Sequence, residues 1–137
     1  MPLFYLLNGK RNIAPLKIWS GIQSNYPSKI LRKPETGLVM VRGRMGGSGA
    51  PFNTGEATVT RCSVENSDGN IGHGYVLGRD HIHAKIAAEI DAALQDHSAK
   101  TELIKTVIEP LQKIRDDNLK ESRMKTAATK VDFFTVV

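Results

Sequence analysis

The run from Glu35 to Val64, ETGLVMVRGRMGGSGAPFNTGEATVTRCSV, constrains this chain more than any other. Two stretches of strand character flank a loop that holds Gly46, Gly47, Gly49 and Gly55. Side chains of a strand point alternately to its two faces, so Val39, Val41, Gly43 and Met45 share one face of the first stretch. Leu38, Met40, Arg42 and Arg44 share the other, which turns basic where the strand reaches the glycines. The second stretch, Ala57 to Val64, is rich in β-branched residues (Thr58, Val59, Thr60, Val64) and carries Arg61 at its centre. A sheet built on this hairpin is the predicted heart of the fold.

The same residues suggest a chemistry. Glycines let backbone N–H groups come close to oxygens, and guanidinium groups pair bidentately with phosphate or carboxylate. Arg42, Arg44 and Arg61, with Gly46, Gly47 and Gly49, are therefore candidates for an anion site. The plainer alternative is a hairpin connection with solvated arginines. MGGSG is no Walker loop, since no Gly-Lys-Ser/Thr follows and a strand rather than a helix comes next.

The remainder of the chain supplies further strands and helices. Ile13, Leu16, Trp19 and Ile22 recur at helical spacing, with Pro15 tolerable in the first turn. Asn66 to Asn70, with Asp68-Gly69 at its centre, is a hairpin turn leading into a third strand, Ile71 to Leu77. Gly72 and Gly74 leave one face of that strand bare, the mark of a bulge or of another backbone packing closely. Asp80 is the expected N-cap of a helix whose Ile82, Ile86, Ile90 and Leu94 form an apolar stripe. Ser98 is the expected cap of a second helix, and Pro110 should kink it or begin another. A charged helix from Gln112 to Lys125 and a fourth strand in KVDFFTVV complete the reading. Strands followed by helices predict an α+β fold, with about four antiparallel strands and two to three helices packed on one side.

At 137 residues the chain fits a single domain with its own core. The net charge of +5 favours an acidic partner, but no Lys/Arg block is long enough to resemble a nucleic-acid arm. One cysteine, Cys62, precludes an internal disulfide and points to a reducing compartment. In MPLFYLL the charges Lys10 and Arg11 follow the apolar residues, the reverse of a signal peptide, so a cytoplasmic location is expected, with no membrane contact.

Catalytic constellations are scarce. His81 and His83 diverge by about 200° on a helix and cannot clamp one metal together. Cys62 reads as a small buried hydrophobe rather than a nucleophile, and Asp91 as a partner for some basic group. No metal site and no catalytic residue is expected.

Three motifs taken together are more specific than these. The Glu35–Val64 run, then GHGYVLGRDHIHA, then ATKVDFFTVV resemble, in the same order, the PhnG family, the small subunit of the bacterial carbon–phosphorus lyase core complex. The resemblance spans residues 31–136 of one 1–137 domain, while residues 1–12 lack the polar helical start associated with the family and the chain stops soon after DFFT. Its matching positions include Glu35, Thr36, Gly37, Arg44, Gly46, Gly47, Thr60 and Arg61, then Gly78, Arg79, Asp80 and His83, then Asp132, Phe133 and Phe134.

The resemblance implies a hetero-oligomer with PhnI, PhnH, PhnJ and PhnL-type subunits. That assembly transfers the ribose triphosphate moiety of ATP to an alkylphosphonate such as methylphosphonate and releases adenine. ATP is then a substrate of the assembly, with no cofactor in this chain and no established catalytic residue. Two roles follow as expectations. One is a structural or accessory subunit of this transferase. The other is a subunit that contributes Arg42, Arg44 or Arg61 to the triphosphate, with Arg44, Gly46, Gly47 and Arg61 lying close together. A nucleic-acid module is disfavoured, because the eight aromatic residues mostly fall outside basic clusters.

Overall fold

The computed structural model describes residues 14–131, with side chains from residue 16 onward. The fold is α+β. Three antiparallel strands, β1 (Ser28–Arg44), β2 (Pro51–Asn66) and β3 (Ile71–Leu77), lie in the order β1-β2-β3. A short helix α1 (Ala14–Ser20) precedes them. Helix α2 (His81–Leu94) crosses one face of the sheet, followed by α3 (His97–Leu103) and α4 (Glu109–Ala128). The fourth strand expected in KVDFFTVV lies, from Asp132 onward, outside the described residues, and the described sheet has three strands.

The seat of α2 is the glycine-bared face of β3. A Cβ at Gly72 would collide with the Ala88 carbonyl oxygen and the Ala92 amide nitrogen, and one at Gly74 with the Ala84 carbonyl and the Ala88 nitrogen. Helix backbone therefore lies directly on strand backbone, at Ala84, Ala88 and Ala92, which are fully buried. Gly72, Gly74 and Val76 alternate as the buried residues of β3, matched on β2 by Thr60, Cys62 and Val64. The predicted close approach of a second backbone is borne out.

The helix stripe comes out differently at its first member. Ile86 and Ile90 are buried, but Ile82 is 65% exposed, since it falls before the helix is covered. Asp80 caps α2 as expected, its carboxylate accepting the His83 N–H at 3.0 Å. The cap of α3 is Asp96 rather than Ser98. Asp96 Oδ1 accepts both the N–H (3.0 Å) and the hydroxyl (2.8 Å) of Ser98, bonds that hold its carboxyl below the usual range.

From α3 to α4 the backbone stays helical through a single π turn, Ile104–Ile108. Pro110 sits in the first turn of α4, and its ring would crowd the Thr106 carbonyl in a regular helix. The wider turn relieves that conflict. Leu103, Val107 and Leu111 are buried at intervals of four, and Ile114 is half-buried. From Asp116 onward α4 is exposed.

Beyond the reach of β3 the hairpin continues alone. β2 pairs with β3 only from Val59 to Glu65, while β1 and β2 pair on through Leu38–Thr58 to Arg44–Pro51. Seven residues from Leu38 to Arg44 make a two-stranded arm about 23 Å long. Its side chains lie in water on both faces: Leu38 is 65% exposed and Met40 61% on one, Val39 45% and Val41 42% on the other.

Two stability predictions follow. Gly74→Ala should destabilise the fold by about 3 kcal/mol, at the upper end for overpacking, because backbone rather than a flexible side chain must move. Asp80→Ala should cost about 1 kcal/mol. Urea denaturation of each variant measures both, and a Gly74→Ala protein as stable as wild type would show that α2 can lift without loss.

Candidate functional site

The candidate anion residues do not assemble into one site. Glu35 pairs directly with Arg61, and nine residues along β1, Arg44 pairs with Pro51, a separation of about 30 Å along the strand. The faces differ as well. Arg42 and Arg44 follow Thr36, Leu38 and Met40 on the face that α2 covers farther down, whereas Arg61 projects from the opposite face with Glu35 and Tyr75. The expected cluster of Arg44, Gly46, Gly47 and Arg61 is corrected accordingly. Strand register, which the sequence pattern does not reveal, keeps these arginines apart.

The glycines of the loop have a conformational reason of their own. Gly46 (φ 61°) and Gly47 (φ 78°) take left-handed backbone within a tight turn, which glycine adopts without steric penalty. The Ser48 and Gly49 N–H groups both close onto the Met45 carbonyl, and Arg44 Nη1 donates to the Gly49 carbonyl at 3.4 Å. The tip is a self-closed turn carrying Arg44, with Arg42 two residues down the arm.

Arg61 belongs to a different group. Its Nε donates to Glu35 Oε1 at 2.6 Å, and Arg32 Nη1 donates to the same oxygen at 3.4 Å, so two guanidiniums share one carboxylate. Beside them a cavity of about 300 Å³ opens on the sheet face away from α2. Gly37 and the buried Val59 form its floor, with Val39, Tyr75 and the Arg61–Glu35 pair around it.

Where the arm leaves the body, a chain of hydrogen bonds ties four segments together. Thr60 Oγ1 donates to the Gly78 carbonyl at 2.7 Å, Thr36 and Thr60 hydroxyls meet at 3.1 Å, and His81 Nε2 lies 2.9 Å from Thr36 Oγ1. Each hydroxyl has one proton. Thr60 uses its own on Gly78, so Thr36 donates to Thr60, and His81 supplies the Nε2–H to Thr36. The arm root is thus pinned to the first turn of α2.

A buried carboxylate was invisible to sequence reasoning. Glu89, 3% exposed, accepts the Trp19 indole N–H at 2.8 Å, the Gln23 amide at 3.1 Å and the Ser28 hydroxyl at 3.2 Å, with Lys85 Nζ at 3.6 Å. It fastens α1 and the start of β1 to α2. The signal available was a lone Glu flanked by Ala88 and Ile90, together with a single Trp whose N–H needs an acceptor. Asp91 accepts the His73 backbone N–H at 2.9 Å, a bond to the edge of β3 rather than the ion pair anticipated. Gln95 donates to the Ile71 carbonyl on the same edge.

His83 is buried, and its Nε2 has no hydrogen-bond partner among the described residues. Burial lowers its pKa, opposed in part by the Asp80 charge. Cys62 is buried, with its Sγ 3.3 Å from the Arg32 carbonyl, and burial raises its thiol pKa, which disfavours the nucleophilic thiolate. Among the described residues no group of three or more His, Cys, Asp or Glu is placed to hold a metal, and no helix is long and apolar enough to cross a membrane.

The family comparison decides the chain's affiliation. Residues 10–137 match the family described as phosphonate metabolism protein PhnG. The chain belongs to the PhnG family. It is also 46% identical, over 121 residues, to the alpha-D-ribose 1-methylphosphonate 5-triphosphate synthase subunit PhnG of Rhizobium meliloti (strain 1021). That match covers 87% of this chain and 76% of the relative. The resemblance in the three motifs is borne out, and with it a place in phosphonate metabolism.

Two measurements probe the groups just described. Glu89→Ala strands the Trp19, Gln23 and Ser28 donors and should cost about 3 kcal/mol in urea denaturation. His83 makes stability depend on pH. Between its lowered folded pKa and the ordinary value of 6.5, the unfolded chain binds a proton that the folded chain does not. Stability should therefore be complete above pH 6.5 and fall as the pH drops through that window. The fall should be shallower in His83→Leu, as thermal melts across pH 5–7.5 would reveal.

Proposed function

We propose that this chain is the PhnG subunit of an alpha-D-ribose 1-methylphosphonate 5-triphosphate synthase, and that it serves that assembly as a structural rather than a catalytic subunit. PhnI, PhnH, PhnJ and PhnL-type chains would be its partners, and ATP and an alkylphosphonate the substrates of the whole. The observation that carries the reading is the arm. A two-stranded ribbon is marginal in water by itself, and this one bears apolar residues on both faces. Its exposed Leu38, Val39, Met40, Val41, Met45 and Phe52 together present on the order of 600 Å² of apolar surface, divided between the two faces and the tip of the ribbon. Such a ribbon persists through burial against another protein.

The isolated chain should self-associate in sedimentation experiments and become monodisperse when co-expressed with the other subunits. Titration calorimetry of the chain with ATP should give no binding heat. A chain that is monodisperse, melts cooperatively and stays alone on co-expression would sink the proposal.

A second reading is favoured by the position of Arg42 and Arg44 near the arm tip, where they would reach farthest into a partner. There they could touch the nucleotide triphosphate. Arg42→Gln/Arg44→Gln in the assembled enzyme should then raise the KM for ATP. If these arginines touch only protein, the substitution should instead loosen the complex in a salt-dependent way.

A further inference from the structure

We propose that the face of the arm turned away from α2, together with the cavity at its root, is a docking groove for an apolar segment of another protein with acidic residues beside it. The inference rests on the reading of the chain as a subunit and adds which surface is used and what chemistry fits it.

Directly paired residues of neighbouring strands share a face. On this face the register sets Gly37 opposite Val59, Val39 opposite Ala57, Val41 opposite Gly55 and Gly43 opposite Phe52. The paired positions are apolar or glycine, and Thr54, the unpaired residue at the register shift of β2, sets its methyl against Gly43 and donates its hydroxyl to the Val41 carbonyl at 3.0 Å. A Cβ at Gly37 or Gly55 would meet nothing within 4 Å, so the space above them is open, and the strip is a shallow trough walled by Val39, Val41 and Phe52. At the inner end the trough runs into the cavity of about 300 Å³ beside Tyr75 and Arg61, with room for an apolar side chain. Deep pockets that take one anchor side chain, within a wider contact that excludes water, are where binding energy concentrates.

Charge selects the occupant. At the cavity rim Arg32 and Arg61 share the single carboxylate of Glu35, which leaves one positive charge in excess. Arg42, Arg44 and Glu56 stand on the opposite face of the arm and do not line the trough. The inner end of the trough is therefore its basic end, on a chain of net charge +5. A second copy would bring the same excess of positive charge and is disfavoured. An apolar segment with Asp or Glu beside it satisfies trough and inner end together.

The test uses the co-expressed synthase assembly, with a benzophenone amino acid placed at Val39 in the trough or at Met40 on the other face. Irradiation should link Val39 to an apolar segment of another subunit that has acidic residues within a few positions. Val39→Asp should weaken assembly at least about tenfold, whereas Ile82→Asp, an exposed position on α2, should leave it unchanged. Arg61→Gln should weaken assembly less, and should flatten its dependence on salt. Cross-links from Met40 alone, to a second copy of this chain, or to a segment without acidic neighbours would overturn the groove. So would normal assembly of Val39→Asp, with the subunit reading left standing. If the wild-type chain joins no other subunit, the subunit reading fails and the groove fails with it.

Discussion

The contact between the backbone of α2 and the two glycines of β3 is the constraint on which the structure depends. Ordinary helix-on-sheet packing places a layer of side chains between the backbones. Here Gly72 and Gly74 remove that layer on one side, and Ala84, Ala88 and Ala92 thin it on the other. The helix comes close enough for Asp91 and Gln95 to bond the outer edge of β3 and for Glu89 to collect donors from the N-terminal segment. A bulkier residue at either glycine would shift all three sets of contacts at once.

That packing also explains why the molecule has two distinct parts. The helices can cover only the portion of the sheet beneath α2, where Thr60, Cys62 and Val64 are buried. β1 and β2 run well past it, and the relay from His81 through Thr36 and Thr60 to Gly78 pins the hairpin at the point where cover ends. The body holds together through its own core. The arm has no core and presents its apolar residues outward, as expected of a subunit built to complete its burial in an assembly.

Much of this was legible in the residues. Alternation in Leu38–Arg44 assigned the two faces of the arm correctly, though Met45 falls in the turn beyond the strand; Asp80 marked the start of α2, and the bare face of β3 announced a close-packed neighbour. These are local signals, set by the period of a strand, the free N–H groups of a helix end and the missing Cβ of glycine. Ser98 misled because the helix begins earlier: Asp96 accepts the N–H and the hydroxyl of Ser98, which places Ser98 inside the first turn as a donor.

What the sequence by itself determined was the alternation, the caps, the turns and, through three motifs in order, the family. Tertiary structure alone decided which apolar residues are buried. Val41 and Val64 are both strand valines, yet one lies 42% exposed on the arm and the other fully buried under α2. Register alone decided that Arg61 belongs with Glu35 rather than with Arg44. Neither outcome is local. Burial depends on how far a helix reaches across a sheet, and register on where two distant stretches of chain align, so no spacing within either strand encodes them.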